Sequence, residues 1–506
     1  MNTSQCQVSA SDIQSPLSQS PLSQRRAFYR TAWRWHFYAG LYVAPFLIML
    51  AITGLMMMYA GTLENYRYQN LLHVEPTGQR ISVSQQLEMV RQQLPEATIK
   101  QYLPPKTPED VSRFAVVTQQ GEGLFVTVNP YQAQVLGSIP RDNTMYQLAN
   151  DIHGTLLIGE TGDRLIELAA SFGVILLVSG LYLWWPRDNA SRAGMFRLRL
   201  GQGKRTFWRD AHANVGVVTG VFLLLFLLSG LSWSGVWGSK MVQAWNSFPT
   251  GVFGDAPLSD VTHAAMNHGE AEEVPWNLEQ TPMPMSVITE EEMTETAADT
   301  ANAASHHAGH HMMTSVPARP LQQGIVGNVN IDSVTAFARQ EGFTNYRLNL
   351  PQSATDVYTI MASTMGKDIT DATQDRTMHI DQYSGKVLAD VKYADYTAMA
   401  KTMAWGIALH EGDMGYANKA VNTVLCLSFV LISLSGIVMW WLRRPKGKLS
   451  LSPPPAPNDP ALWKGAMVVI AVLGVCFPLA GLAIVTVLVL DWLVISRVAP
   501  LSRLLG

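Results

Sequence analysis

This chain is short of charge. Only 15% of its 506 residues are Asp, Glu, Lys or Arg, against roughly a quarter in soluble domains, and the shortfall excludes an ordinary soluble protein in favour of an integral membrane one. Cysteine is scarce as well. Cys6 lies in the N-terminal tail, and Cys426 and Cys476 lie in apolar runs, so no disulfide framework is expected. No Gly-rich strand-to-helix fingerprint for a dinucleotide occurs, and the segments expected on the cytoplasmic side are too short for a flavin or nicotinamide domain. HExxH, GxSxG and a Ser/His/Asp constellation are missing too, which leaves hydrolysis without support. The net charge of -3 says little, because the charges are segregated along the chain, and no nucleic-acid partner is expected.

Apolar runs of the roughly 20 residues that cross a lipid bilayer lie at about 37–60, 165–185, 213–237, 420–442 and 465–495. Five spans are the simplest count. The last, interrupted by Pro478 and Gly481, reads as one kinked helix, with a re-entrant hairpin as the alternative. Lys and Arg flank the spans in three places: Arg25, Arg26, Arg30 and Arg34, then Arg187 to Arg209, then RRPKGK after the fourth span. The positive-inside rule makes these segments cytoplasmic. The long loops, 61–163 and 238–419, then face the opposite side, which in a bacterial inner membrane is the periplasm. Residues 1–24 hold SPLSQ twice in a Ser/Gln/Pro context and read as a disordered cytoplasmic tail, not a secretory signal.

What is present is a repeat. His36 opens HFYAGLYVAPFLIMLAITGL and His212 opens HANVGVVTGVFLLLFLLSGL, with Gly40 and Gly216 four residues on and Gly54 and Gly230 eighteen residues on. Eighteen residues are five helical turns, so each His shares a face with its distant Gly, a stripe able to pack a neighbouring helix or hold a flat cofactor. Each half then continues with a second His (His153, His410), a polar turn containing Gly, a span with a Ser-Gly pair (Gly180, Gly436) and a Trp-Trp ending at Trp184 and Trp440. The His-to-Gly distances are 27 and 26. Both halves run the same way, so the repeat is parallel about an axis along the membrane normal. That symmetry pairs His36 with His212 at the cytoplasmic face and His153 with His410 at the other. The first repeat covers 25–190 and the second 205–445, with a basic linker at 186–212, a Pro-rich linker at 446–463 and the last run at 464–506.

The outside loops repeat as well. Residues 81–139 show an amphipathic helix (SVSQQLEMVRQQL) and alternating strands, and 331–389 show SVTAFARQEG followed by YRLNL, VYTIMAS and MHIDQYSGKVLAD. VNPYQAQVL superposes on IDQYSGKVL, matching Tyr131 with Tyr383 and Leu136 with Leu388. Each reads as one helix on a short antiparallel sheet. The insertion at about 247–322, rich in Pro, Thr, Glu, Met and His, reads as a mobile loop.

This order, an HxxxG helix, an outside module ending in a Tyr-xxxx-Leu strand, His-Gly, a helix ending Trp-Trp with basic residues, and all of it again, resembles the PepSY-associated transmembrane family. That family includes iron-regulated inner-membrane proteins and ferric-siderophore reductases, and the resemblance covers about 25–450. It implies a mainly α-helical integral membrane protein of about five transmembrane helices in a parallel two-fold repeat, with two small periplasmic α+β PepSY-like modules. It also implies two b-type haems with His36, His212, His153 and His410 as axial ligands. Ligation by imidazole on both sides leaves no open position for substrate and suits electron transfer. Gly40 and Gly216 would let the macrocycle approach the helix backbone. Arg34 and Arg209, with Arg30 and Arg205, would neutralise propionates or are plain positive-inside anchors. The implied activity is reduction of periplasmic ferric chelates, ferric siderophores above all, releasing the more weakly bound ferrous ion. Quinol or a separate cytoplasmic reductase would be the donor. A non-enzymatic anchor whose modules regulate a periplasmic partner is the main alternative.

A metal-handling protein is the other. HHAGHHMM, with His306, His307, His310, His311, Met312 and Met313, joined by His263, Met266 and His268, offers soft and borderline donors for copper or zinc. His73 and His379 have no His counterpart in the other half and read as surface residues.

Overall fold

A computed structural model describes residues 21–132, 134–141, 144–186, 192–242, 253, 256–267, 273–287, 324–444, 451, 453, 454, 468, 471–495, 497 and 498. In chain order the elements are α1 (Pro21–Arg67), α2 (Val83–Gln93), β1 (Thr98–Leu103), β2 (Ser112–Val117), β3 (Gly123–Asn129), β4 (Gln134–Pro140), α3 (Met145–Thr155), α4 (Glu160–Trp184) and α5 (Lys204–Leu231). There follow β5 (Leu258–Thr262), β6 (Pro282–Pro284), α6 (Ile331–Gln340), β7 (Arg347–Asn349), β8 (Val357–Ala362), β9 (Arg376–Asp381), β10 (Val387–Lys392), α7 (Ala398–Glu411), α8 (Gly415–Arg443) and α9 (Pro478–Leu490).

Four helical stretches, Phe28–Arg67, Glu160–Trp184, Lys204–Leu231 and Gly415–Arg443, are long and apolar enough to cross a membrane. Val221, Leu225 and Val424 stay exposed on them. Helices that are apolar on their outward faces call for a lipid solvent, since water would gain nothing from that surface. The fifth expected span is corrected. A Cβ on Gly481 would lie 2.5 Å from the Cα of Gly474, whereas residues seven apart in one helix are separated by about 10 Å. The chain therefore folds back near Phe477, and the helical stretch after it, Pro478–Val494, is shorter than the four stretches above. This is the hairpin alternative, not the single kinked helix.

The chain divides into two compact units, Met1–Pro45 with Leu168–Gly220 and Ile432–Gly506, and Phe46–Glu167 with Val221–Leu431. In the first, the buried carboxylate of Asp210 accepts from Arg199 at 2.7 and 2.8 Å and from Arg209 at 2.9 Å. Asn214 Oδ1 accepts from Phe196 N at 3.0 Å. These bonds fold the basic linker back onto the start of α5.

The second unit is built on an eight-stranded antiparallel sheet in the order β10-β9-β8-β7-β1-β2-β3-β4. The two expected modules thus share one sheet, joined where Gln101 pairs with Asn349 and Tyr102 with Leu348. Ser82 caps α2 and Asn330 caps α6 with side-chain oxygens that accept the first orphan N–H groups. Leu87 and Val90 of α2 and Val334 and Ala338 of α6 pack with Tyr102, Phe114, Leu348 and Ile360 on one face. The hairpins β3–β4 and β9–β10 turn alike. Tyr131 N donates to Asn129 Oδ1 and Tyr383 N to Asp381 Oδ1, both at 2.9 Å, and each phenol donates to a backbone carbonyl.

The other face corrects the mobile-loop reading. Phe253, Met266, Val274 and Leu278 are buried against Met361, Ala389 and Val391, so part of the insertion covers the sheet. Glu273 binds both Arg141 and Arg347 and accepts from Gln101 Nε2 at 3.1 Å. Composition averaged over the insertion hid this piece, in which Phe253, Met266, Val274, Trp276 and Leu278 are buried while Leu258 and Val261 stay exposed. His268 and the tract His306 to Met313 lie outside the described residues.

Asp375, just before β9, gives this unit a pH dependence. Burial pushes its carboxyl up to about 7, although Thr364 N donates to it at 3.1 Å. The fold holds a proton that the unfolded chain releases above about pH 4, so the stabilisation is full at low pH and is lost as pH rises through about 7. Asp375→Asn keeps an acceptor for Thr364 and should melt higher than wild type at pH 8 but not at pH 4. Equal shifts at both pH values would contradict this.

Candidate functional site

The polar turns that follow His153 and His410 end one short helix and begin a long one. Gly412, at φ 82°, closes α7 in the left-handed region that favours glycine, and Asn422 Nδ2 donates to the carbonyls of Leu409 and His410 at 2.7 and 3.1 Å. At the matching turn, a Cβ on Gly162 would overlap the carbonyl of Thr155. Both histidines therefore stand on the last turn of a short helix, held against a long one.

In the first unit, His36 of α1 and His212 of α5 lie with ring centroids 6.2 Å apart and planes at 89°. His36 Nδ1 is 3.0 Å from Ser179 Oγ, and a Cβ on Gly180 would come within 3.1 Å of His36 Cε1. His212 Nδ1 is 3.0 Å from both Ser435 Oγ and Ile432 O, with Gly436 beside its Cε1. The second unit repeats the arrangement. His153 and His410 have centroids 6.4 Å apart and planes at 85°. His153 Nδ1 meets Thr53 Oγ1 at 2.8 Å beside Gly54, and His410 Nδ1 meets Ser229 Oγ at 2.7 Å beside Gly230.

The hydroxyls fix the tautomer. Ser179, Thr53, Ser229 and Ser435 each have a backbone carbonyl of their own helix, Ile175, Met49, Leu225 and Ile432, at 2.7 to 2.9 Å to which the hydroxyl hydrogen is donated. A hydroxyl whose hydrogen is spent can only accept, so each imidazole carries its hydrogen on Nδ1 and a lone pair on Nε2. That is the metal-ligating form, oriented from outside as ligating histidines are.

The separation fits one metal per pair. With metal–imidazole bonds of about 2 Å and about 1.1 Å from each Nε2 to its ring centre, two imidazoles on opposite sides of one metal have centroids about 6 Å apart. Glycines at all four rings leave the imidazoles room, and a Cβ on Gly216 would meet open space. No group of three or more His, Cys, Asp or Glu able to hold a metal occurs among the described residues, so the donors here come in pairs. A planar macrocycle that supplies four ligands of its own is the group such pairs suit.

Residues 33–443 match the family model described as the PepSY-associated TM region. The chain belongs to the PepSY-associated TM family. No curated protein matches it. The part matched in this PepSY-associated TM protein takes in all four histidines, their hydroxyl partners and the whole sheet, and leaves α9 outside.

The other expected site residues of this PepSY-associated TM chain are placed less simply. Gly40 packs α1 near Leu176, where a Cβ would make an ordinary contact at 3.7 Å. Arg34 donates to Pro454 O at 2.6 Å and lies over Tyr38, and Arg209 is bound to Asp210, so both already have protein partners. Arg443 does not. Its guanidinium lies over Phe37 and Trp33, in the turns beside His36, and its buried Nε and Nη2 have no hydrogen-bond partner among the described residues. Those two N–H groups leave Arg443 better able to take an anion than either arginine chosen from sequence. Reading the sequence noted the Ser-Gly pairs at Gly180 and Gly436 but gave none of the four hydroxyls a role. Their signal was present as ITGL, VSGL, LSGL and LSGI, one in each long helix. Thr53→Val should leave the Nδ1 hydrogen of His153 without an acceptor, at a cost of about 1–3 kcal/mol, and weaken metal-group retention at that pair by about 10–100-fold. Spectra recorded during extraction would check this, and equal loss from both pairs would contradict it.

Proposed function

We propose that this protein is an inner-membrane electron-transfer protein that holds two b-type haems, one between His36 and His212 and one between His153 and His410. On this reading it reduces ferric chelates, ferric siderophores above all, on the periplasmic side. The observation that carries the reading is the geometry of the two imidazole pairs, 6.2 and 6.4 Å between centroids, with every Nδ1 hydrogen bound to a hydroxyl. Haem held by these histidines would supply a one-electron carrier.

The chain's own residues do the rest. Ser179, Thr53, Ser229 and Ser435 orient the ligands, and the neighbouring glycines leave the rings room. Phe226, 4.7 Å from the His410 ring, and Phe429 beside it keep that pair dry. Arg30, Arg34, Arg205 and Arg209 precede His36 and His212, which supports a cytoplasmic position for that pair and receipt of electrons there from quinol or a separate reductase. The sheet belongs to the unit that holds His153 and His410. A hydrophilic chelate stays outside the bilayer, so its ferric ion takes one electron at the periplasmic pair and leaves as the more weakly held ferrous ion.

Purified protein should contain two haems per chain and show sharp low-spin bands that shift on reduction. A preparation from haem-replete cells that contains none would overturn the proposal.

A further inference from the structure

His263 and His379 belong to neither pair. His263 stands on the short turn His263–Met266 after β5, His379 stands on β9, and both are fully buried, which corrects the surface reading of His379. His73, by contrast, is half-exposed beside Asp110. The Nε2 atoms of His263 and His379 converge at 3.0 Å. His263 Nδ1 faces the carbonyl of Thr281 at 2.8 Å and its hydroxyl at 2.9 Å. A carbonyl only accepts, so the hydrogen is on Nδ1 and the lone pair is on Nε2. His379 Nδ1 faces Thr359 Oγ1 at 2.9 Å. In the closed pair, Thr359 donates to His379 Nδ1 and His379 donates its Nε2 hydrogen to His263. Phe253 lies 5.8 and 6.4 Å from the two rings and shares its apolar cluster with Met266 and Met361.

Two convergent Nε2 atoms, each imidazole backed at Nδ1 by an oxygen, form the arrangement in which histidines ligate metal. The four-ligand shell that zinc takes is not available among the described residues, since no third His, Cys, Asp or Glu joins the pair. Neutral nitrogen donors beside an apolar cluster that holds Met266 and Met361 suit a soft cation, and a single charge costs least to bury. We propose that His263 and His379 bind Cu(I) through their Nε2 atoms. Binding moves the Nε2 hydrogen of His379 to its Nδ1, where Thr359 Oγ1 turns to accept it. The Nε2 atoms open from 3.0 Å to about 4 Å, two bonds of about 2 Å each. The site does not depend on the haem reading.

Full-length protein in detergent, titrated anaerobically with Cu(I) against a chromogenic Cu(I) chelator, should show one tight equivalent. His263→Gln and His379→Gln should each weaken it by roughly 100-fold, whereas deleting His306 to Met313 should leave it in place. Because either variant can fail to fold, wild-type protein is also melted with Cu(I) and with redox-inert Ag(I), both of which should raise the melting temperature by binding the folded state. A melting temperature unmoved by both ions, or a tight equivalent that survives in both variants or vanishes with the tract, overturns the proposal.

Discussion

Replacing His36 by alanine should halve the haem content of the protein, and replacing His212 should remove the same haem, so the double variant should lose no more than either single one. The expectation follows from the 6.2 Å pairing of these two rings within one unit, while His153 and His410 pair at 6.4 Å in the other. With one imidazole of the pair removed, Ser179 or Ser435 would orient a histidine that has no counterpart to share in holding the group. Glycine makes an independent check. Enlarging Gly180 to leucine pushes into His36 Cε1, already 3.1 Å from where a Cβ would sit, and should remove the same haem with all four histidines intact. Haem counted by the pyridine haemochrome method reads both results. Loss of both haems from one substitution, or of neither, would refute the pairing.

Glu273→Ala should destabilise the sheet-bearing unit by about 3–5 kcal/mol, a large part of the stability of an ordinary domain. Glu273 binds the guanidinium groups of Arg141 and Arg347, both nearly buried, and Arg347 would be left with Asp368 at 3.1 Å as its remaining carboxylate. Deleting 256–287 should do more, because it also uncovers the apolar face that Val274, Trp276 and Leu278 close, each worth about 1.5–3 kcal/mol when buried. Melting and protease resistance of the two variants measure the effect. A deletion that melts with wild type would show that the segment is dispensable after all.

Four of the five expected spans and the histidine pairing were legible because both rest on long-period signals: runs of apolar residues, and offsets that recur between halves. Hydroxyls were not, since Ser179 or Thr53 within an apolar helix reads as a residue that bonds its own backbone; it does so, and for that reason can accept from an imidazole. The cover of the sheet was lost for a different reason. Trp276 and Leu278 sit in a segment whose Pro, Glu and Thr content looks solvated, and their burial depends on strands distant in sequence. His379 was misread because matching the halves treats an unmatched residue as incidental. Strand alternation gives the same misreading, since Thr377, His379 and Asp381 form the polar face of β9 opposite Met378 and Ile380, and that face is buried because the segment with Phe253, Met266 and Leu278 packs on the sheet. The turn at Phe477 depends on Gly474 and Gly481 meeting, and hydropathy cannot see such a contact.

The most direct test of the account uses the His153→Ala protein and its parent, each reconstituted in vesicles of one orientation with reductant sealed on the side of His36 and His212. Ferric chelate is supplied outside, with a ferrous-specific dye as readout. The account predicts that the variant keeps one haem that reduces at the parent's rate, yet forms no external ferrous iron above that of empty vesicles. External reduction by the variant at the parent's rate would contradict the relay through two histidine pairs.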